Sequence, residues 1–282
     1  MLRDCLRAVD AAAEGLRTTI YVVDNASSDG SAAMVRSEFP HVLLTESAEN
    51  LGFVKANNAA LARCTGDFVV LLNPDTEALP GSLSRMVEYL QRHPEVGAVG
   101  PKLLNTDGSL QRNGMFAPTL FRECVAVFGI RRLFPNWFED RLTWGRTDFA
   151  TSCAVEVVSG ACITVPGGVL RRLGPLDERF FMYYEEMEWC WRIRRAGLQI
   201  HYVADSIVVH HWMGSAKSHM RRMTDTLFRS QVQYYRITQG PAAAAVAVLI
   251  STVGRAKNTL LYAGVAVKRV LRRAGLFGGV KL

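Results

Sequence analysis

Two stretches of this chain carry side chains whose types and spacing could do chemistry. The first is Gly66 to Glu77, GDFVVLLNPDTE. Five apolar residues, Phe68 to Leu72, lie between Gly66-Asp67 and Asn73-Pro74, the pattern of a short strand buried on both faces. Pro74 cannot donate to a ladder, so the strand must stop there. The run therefore delivers Asn73, Asp75, Thr76 and Glu77 just past a C-terminal strand edge, the place where open α/β sheets bind ligands. A short acidic turn there suits a hard divalent cation that keeps several waters and shares its other positions with phosphate oxygens. The same residues also read as a polar turn closing a core strand.

The second stretch is Phe180 to Arg195, FFMYYEEMEWCWRIRR. On a helix starting near Tyr184, Glu185 and Glu188 share a face, and Glu188 precedes Arg192 by four residues, the favourable ion-pair order. Carboxylates in a first helical turn are stabilised by the peptide dipoles, so plain capping is one reading. The aromatic frame of Phe181, Tyr183, Tyr184, Trp189 and Trp191 supports another. A carboxylate walled by aromatic rings is partly desolvated, which raises its pKa and makes it a stronger base. Aromatic faces also stack on sugar rings.

The elements that must position these groups alternate between strand and helix. Met1–Glu14 has helical spacing, Thr18–Val23 is β-branched, and Ser27–Ser31 is a turn leading into a helix cap. A short helix (32–39), a strand (42–45), a turn at Asn50–Phe53 and a helix (54–64) lead to the Gly66–Glu77 strand. A helix over 81–92 and a strand over 96–99 follow. This order implies a parallel sheet with right-handed crossovers. From Asn105 to Thr151 the pattern loosens, and 105–151 reads as a variable insert, with Phe116–Trp144 aromatic and without a clear period. Val155–Val165 returns to strand, broken at Ser159-Gly160, and strands recur at Leu198–Val203 and Ile207–Val209.

Bulk properties set limits. At 282 residues the chain can bury a large core. Its six cysteines include no C-x-x-C pair, which argues against a zinc ribbon and fits a reducing compartment. Met1–Ala13 lacks the apolar core of a signal peptide. The net charge of +7 is unevenly placed. Nine basic residues and no acidic one follow Asp225, leaving 24 basic against 26 acidic before it, a net of −2. A near-neutral body gives no sign of nucleic-acid binding. The tail over 226–282 instead carries two apolar runs, Ala242–Ile250 and Leu260–Val267, edged by Arg255, Lys257, Lys268, Arg269, Arg272 and Arg273. Each is shorter than the ~20 residues of a spanning helix. They read as helices lying on an anionic membrane surface, or as a solvated helical hairpin docked on the body.

Taken together, the motifs resemble the family 2 inverting glycosyltransferases, and within them the rhamnosyltransferase-like branch of bacterial cell-surface polysaccharide synthesis. The resemblance rests on VVDNASSDGS (22–31), NLGFVKANNAAL (50–61), GDFVVLLNPDTE, VSGACITVP (158–166), GPLDERFFMYYEEMEWCWRIRRAG (174–197) and VVHHWMGS (208–215). It implies an α/β, GT-A nucleotide-sugar fold, a mostly parallel Rossmann-like sheet flanked by helices, with a catalytic domain over 1–225 and a helical tail over 226–282.

The resemblance also implies roles. Asp24 would contact base or ribose, Asn50, Gly52, Phe53 and Asn58 would shape the nucleotide pocket, and Asn73 and Gly160 would join the sugar-nucleotide site. Asn73-Pro74-Asp75 stands where the family has its Asp-x-Asp motif, which leaves Asp75 as the main oxygen ligand of Mg²⁺ or Mn²⁺. His210 would be a late metal ligand or diphosphate contact. Glu186, where the family usually has Asp, would be the catalytic base, with Glu185 as the alternative. Glu188 also replaces a usual Asp and is expected to be structural. The implied partners are a nucleoside diphosphate sugar, dTDP-rhamnose first and UDP-galactofuranose or UDP-hexoses behind it, and a lipid-linked or polysaccharide acceptor. The expected location is cytoplasmic, at the inner face of the cell membrane.

Family members open with a strand that has no counterpart before Leu2, so the sheet is expected to lack its usual first strand, and a start codon upstream of Met1 is the simplest expectation. Two other readings stay open: a catalytically weak or inactive truncated relative that binds nucleotide-sugar, and a nucleotide-binding adaptor held at the membrane by its tail.

Overall fold

The computed structural model describes residues 1–111, 113–128, 149–211 and 220–273, without the side chains of 220–222 and 258–273. Part of the 105–151 insert, the Trp212–Ser215 end of the last motif, and Lys281 therefore lie outside the described residues, as do the side chains of Lys268, Arg269, Arg272 and Arg273.

The chain opens with helix α1 (Leu2–Ala12), strand β1 (Tyr21–Asn25), α2 (Ser31–Glu38), β2 (Leu43–Ser47) and α3 (Gly52–Leu61). Strands β3 (Phe68–Leu72) and β4 (Thr76–Ala78), helix α4 (Ser82–Arg92), the long β5 (Val96–Leu104) and the short β6 (Leu110–Gln111) follow. Next come α5 (Leu120–Phe128), β7 (Cys153–Val155), β8 (Cys162–Pro166), α6 (Gly167–Leu173), α7 (Glu185–Arg195) and β9 (Gln199–His210). Two long helices close the fold, α8 (Met220–Gln239) and α9 (Pro241–Arg273).

The main sheet runs β3-β8-β5-β9-β4, with β6 on β5 and β7 on β9. Because β8 is antiparallel to both β3 and β5, and β5 is parallel to β9, the strands β3, β5 and β9 all run the same way. The reversals come from β8 and the short β4, β6 and β7. The two segments expected at 198–203 and 207–209 form one strand, β9. Its pairing with β5 jumps from Pro101↔Val203 to Lys102↔Ile207, so residues 204–206 bulge out of the ladder. Strands β1 and β2 pair with each other in parallel as a separate two-stranded sheet. Among the described strands, β1 pairs only with β2 and β3 only with β8, which leaves one open edge on each.

The apolar run 68–72 packs on both faces by simple alternation, fully buried at Val69 and Leu71 and partly buried at Phe68, Val70 and Leu72. Val69 and Leu71 point into one core with Val54, Leu61, Ile163, Val165 and Trp189. Phe68, Val70 and Leu72 point into the other with Ala12, Leu83, Met86 and Val99. Helices thus cover both faces, α1 and α4 on one, α3, α6 and α7 on the other.

The tail differs from the two short segments read in the sequence. Residues 241–273 form one continuous helix, and Tyr234, Tyr235 and Ala247 belong to the same core as Trp189. Pro241 fits the start of this helix because it has no N–H to lose there. Its Ala244, Ala247 and Ile250 stripe is buried, so α8 and α9 pack on the body. Among the described residues no helix is long and apolar enough to cross a membrane.

Candidate active site

The turn after β3 is fixed by its backbone before any side chain acts. Asn73 N–H donates to the Ala161 carbonyl at 2.9 Å, and the Asn73 carbonyl accepts from Thr76 Oγ1 at 2.6 Å. The Cys5 thiol of α1 reaches the same carbonyl at 3.5 Å. Just beyond the turn, β4 pairs with the end of β9 in a register that sets Thr76 opposite His210. That pairing, between residues 134 positions apart, seats His210 Nε2 at 3.5 Å from Asp75 Oδ1.

The orientation of His210 is set from behind. Gln111 donates its amide N–H to Asn105 Oδ1 at 3.0 Å, so its oxygen is the atom 2.6 Å from His210 Nδ1. An amide oxygen only accepts, so Nδ1 carries a proton and Nε2 is the nitrogen aimed at Asp75. In the imidazolium form Nε2 carries a second proton, and its hydrogen bond holds the Asp75 carboxyl below the usual carboxylate range against the cost of partial burial. In the neutral form the Nε2 lone pair is the atom that could ligate a cation. Among the described residues no three His, Cys, Asp or Glu side chains converge as a cation cage. The Asp75–His210 pair could supply two ligands and leave the remaining positions to water and phosphate oxygens, the coordination style of Mg²⁺ and its relatives. The donor set is thus chemically compatible with a divalent cation that would take its remaining ligands from outside the protein. The neighbouring His211 is committed elsewhere, its Nε2 lying 2.7 Å from Glu77 Oε1.

Glu185 and Glu186 open α7, as the sequence suggested. The two residues before them, Tyr183 (φ 70°) and Tyr184 (φ 66°), both hold left-handed backbone. For non-glycine residues this costs on the order of 1–3 kcal/mol each and persists only where surroundings impose it. Burial pushes the Glu185 carboxyl well up, and the charge of Glu186 adds to it; Glu186 is also raised by burial, partly offset by the Glu186 and Met187 N–H groups. Among the described residues neither Glu185 Oε2 nor Glu186 Oε2 meets a hydrogen-bond donor. Glu185 is 5 % exposed; Glu186 as a residue is partly exposed, but its Oε2 is buried like that of Glu185. Glu186 lies along Gly160, where an added Cβ would meet Glu186 Cβ at 3.6 Å. Gly160 precedes Ala161, the residue that receives the Asn73 N–H, so the glutamate and the acidic turn share one wall.

Burying Glu185 has a pH signature. Because its folded-state pKa is raised, the native protein holds a proton that the unfolded chain has lost, and stability falls as pH rises from about 4.3 through that raised value. Glu185→Gln removes this loss, since a neutral amide is cheaper to bury than a carboxylate. The variant is expected to match the parent in thermal unfolding at pH 4 and to melt a few °C higher at pH 8. Equal melting temperatures at pH 8 would contradict the assignment.

The remaining expected residues are placed as follows. Asp24 is buried and accepts the Ser27 N–H at 3.1 Å, closing the turn after β1. Asn50 Oδ1 accepts from Gly52 N at 2.9 Å and from Asn25 Nδ2 at 3.1 Å. Gly52 has φ 82°, and a Cβ there would stand 2.5 Å from the Phe181 ring; Phe53 N–H donates to the Phe181 carbonyl at 2.8 Å. The start of α3 is therefore stitched to the segment leading into the glutamates. Gly52→Ala is expected to lower stability by about 1–3 kcal/mol through both backbone strain and overpacking, read as a drop in melting temperature.

Asn58 braces the loop before α7: its amide donates to the Leu176 carbonyl at 2.8 Å and accepts the Leu176 N–H at 3.1 Å. Several expectations are corrected. Trp189 and Tyr184 are core, not walls of a sugar site, because Trp189 is fully buried with its N–H on the Gly174 carbonyl. Trp191 stacks with Arg195. Of the five aromatics, only Phe181 stands mainly in solvent, at 52 % exposed. Glu188 is structural as expected, a buried partner of Arg192 at 2.8 and 2.9 Å.

Three positioning residues were not singled out from the sequence. Asn25 ties Leu51 N and the Gly52 carbonyl to β1. Gln111 orients His210. Asn113, fully buried, joins the Pro101 carbonyl to Ser159 N at 2.7 Å each and so holds the Ser159-Gly160 turn. Their partners are distant in sequence, and no local pattern marks such contacts.

This architecture is that of the GT-A glycosyltransferases. The fold is shared with a mannosyltransferase from Pyrobaculum calidifontis solved with GDP-Man and Mn²⁺ (TM-score 0.53, 19 % identity, 95 % of this chain and 77 % of that one). It is shared too with GalNAc-T7 solved with UDP, GalNAc and Mn²⁺ (TM-score 0.55, 14 % identity, 83 % and 45 %). The glycosyl transferase family 2 model matches residues 1–143, and the chain belongs to that family. Among its relatives is the N-acetylglucosaminyl-diphospho-decaprenol L-rhamnosyltransferase of Mycobacterium tuberculosis, 29 % identical over 208 residues, covering 68 % of this chain. The match spans 66 % of that relative's length. Another is the low-salt glycan biosynthesis hexosyltransferase Agl10 of Haloferax volcanii, 27 % identical over 261 residues, 89 % of this chain and 75 % of the relative.

Proposed function

We propose that this glycosyltransferase moves a sugar, rhamnose first among candidates, from a nucleoside diphosphate donor to a lipid-linked or polysaccharide acceptor, with inversion at the anomeric carbon. The observation that carries the reading is the shared wall: Glu186 lies on Gly160, and the next residue, Ala161, holds the turn bearing Asp75. Asp75 and His210 would hold a divalent cation, whose chemistry when bound is to neutralise charge developing on the leaving diphosphate. Glu186, raised in pKa by burial, takes the proton from the acceptor hydroxyl. The acceptor oxygen forms its bond to the anomeric carbon as the bond to the diphosphate oxygen breaks, from the opposite face. Asp24 and the Asn25–Asn50–Gly52 network shape the nucleotide end. Rhamnose and a lipid-linked acceptor are supported by the likeness to the mycobacterial rhamnosyltransferase.

Membrane contact belongs to the same reading: with no acidic residue after Asp225, the tail suits an anionic inner membrane face on the cytoplasmic side. A second reading, a catalytically weak sugar-nucleotide-binding relative, is favoured by Glu186 standing where the family usually has Asp. The test is a donor screen with dTDP-, UDP- and GDP-sugars in the presence of Mn²⁺ or Mg²⁺, with a chelator control. Metal-dependent release of a nucleoside diphosphate supports transfer; nucleotide binding without turnover supports the second reading.

A further inference from the structure

The helix carrying Glu185 and Glu186 does not choose its own aim. Its N-cap, Tyr184, is held in left-handed backbone at φ 66°, a conformation that surrounding contacts must impose. Those contacts come from outside the motifs of the catalytic half. Tyr184 is buried, and its hydroxyl donates to Glu123 Oε1 of α5 at 2.5 Å. Gln231 and Tyr235 of α8 face the same carboxyl. The orientation of the Gln231 amide is set in turn: its Oε1 accepts from Ser251 Oγ of α9 at 2.8 Å, which leaves its N–H₂ for the carboxyl side. One residue earlier, Ser230 Oγ of α8 donates to the Met182 carbonyl at 2.7 Å, tethering the chain two residues before Tyr184. The Tyr184 ring itself packs 5.5 Å from that of Tyr234, which meets Tyr235 at 5.4 Å.

Helix α5 therefore holds the Tyr184 hydroxyl, one peptide bond away from Glu185, with α8 against the same Glu123 carboxyl and α9 behind Gln231. The Tyr235 hydroxyl meets no hydrogen-bond partner among the described residues, so the bonded path is Tyr184–Glu123 with Gln231 and Ser251 behind it, and removing a member of such a buried path is costly.

We propose that Glu123 is a positioning residue for transfer: through the Tyr184 hydroxyl, with Gln231 and Ser251 behind it, it sets the angle at which α7 presents the Glu185–Glu186 pair. In this arrangement the segment after residue 225 is part of the catalytic apparatus, whatever else it touches. The inference rests on the reading that the pair supplies the base, and adds a residue that touches no substrate.

The test compares Glu123→Ala, Glu123→Gln and Tyr184→Phe in the full chain by two readouts. The first is turnover with the donor that the screen identifies. Misplacement of a catalytic group by about 1 Å can cost ~10²-fold, so Glu123→Ala is expected to lower kcat by about 10–100-fold with donor KM within about twofold. Glu123→Gln, whose amide oxygen still accepts from Tyr184, is expected to restore kcat to within a few-fold, and Tyr184→Phe to behave like the alanine variant. The second readout needs no donor: amide hydrogen exchange at Glu185, Glu186 and Met187, expected to quicken in Glu123→Ala and Tyr184→Phe but not in Glu123→Gln. Should Glu123→Ala not fold, Tyr184→Phe, which loses only an oxygen, carries both measurements. Unchanged kcat together with unchanged exchange in Tyr184→Phe overturns the proposal. Quickened exchange in a protein whose parent shows no transfer with any donor would keep the positioning role and remove the transferase reading instead.

Discussion

Asp75→Ala is expected to cut sugar transfer by about 10³-fold or more, the scale of losing several kcal/mol of charge stabilisation at a leaving diphosphate. The fold should survive the change. The turn that presents Asp75 is held by main-chain bonds, from Asn73 N to the Ala161 carbonyl and from His211 N to the Asp75 carbonyl, each at 2.9 Å. Its side chain is 22 % exposed and its neighbour is His210. Removing the carboxylate would therefore remove the proposed main oxygen donor to a cation and little packing. The measurement is initial rate at saturating Mn²⁺ beside a thermal melt. A variant that melts like the parent and keeps more than a tenth of its rate would end the metal assignment to this turn. His210→Ala should show a smaller loss, because imidazole supplies only the second ligand. The double variant should be little worse than Asp75→Ala alone, as expected for groups acting on one ion.

Glu186→Gln is expected to lower kcat by about 10²–10⁴-fold, the usual contribution of a general base, with donor KM almost unchanged. Glutamine keeps the shape against Gly160 and loses only the ability to take a proton. Glu185→Gln should lose less, because it is Glu186 that lies along Gly160, on the wall shared with the turn bearing Asp75. Burial raises both pKa values, so the acid limb of the kcat/KM profile should lie above the ~4.3 of an ordinary glutamate and vanish in Glu186→Gln. Near-normal turnover in Glu186→Gln, with a deep loss in Glu185→Gln, would move the base by one residue. Glu186→Asp should retain part of the activity, since the family pattern has the shorter acid there and the main cost is one methylene of reach.

What the residues announced by themselves was local. The five-residue apolar run 68–72 stopped by Pro74, the paired glutamates heading an amphipathic helix, and the Glu188–Arg192 spacing all depend on neighbours within a few positions, where periodicity and capping rules operate. The family resemblance extended this to a GT-A fold and to the class of chemistry, because motif order carries information that no single motif holds.

Tertiary structure decided everything that depends on register or on distant partners. Only the pairing of Thr76 with His210 brings the histidine to Asp75, and a slip of one residue would turn it to the opposite face. Only the packing of α5, α8 and α9 shows that Tyr184 is bonded to Glu123 rather than stacked on a sugar. Asn58 is visible in a motif, while its bond to Leu176, 118 residues away, is not. The tail looked like two short segments because Arg255 and Lys257 interrupt the apolar pattern. In one continuous helix Arg255 packs over Phe228, and Lys257 reaches out to the Val127 carbonyl at 2.8 Å. Long basic side chains can span from a helix to a neighbour's backbone without breaking it, and sequence periodicity cannot register that reach.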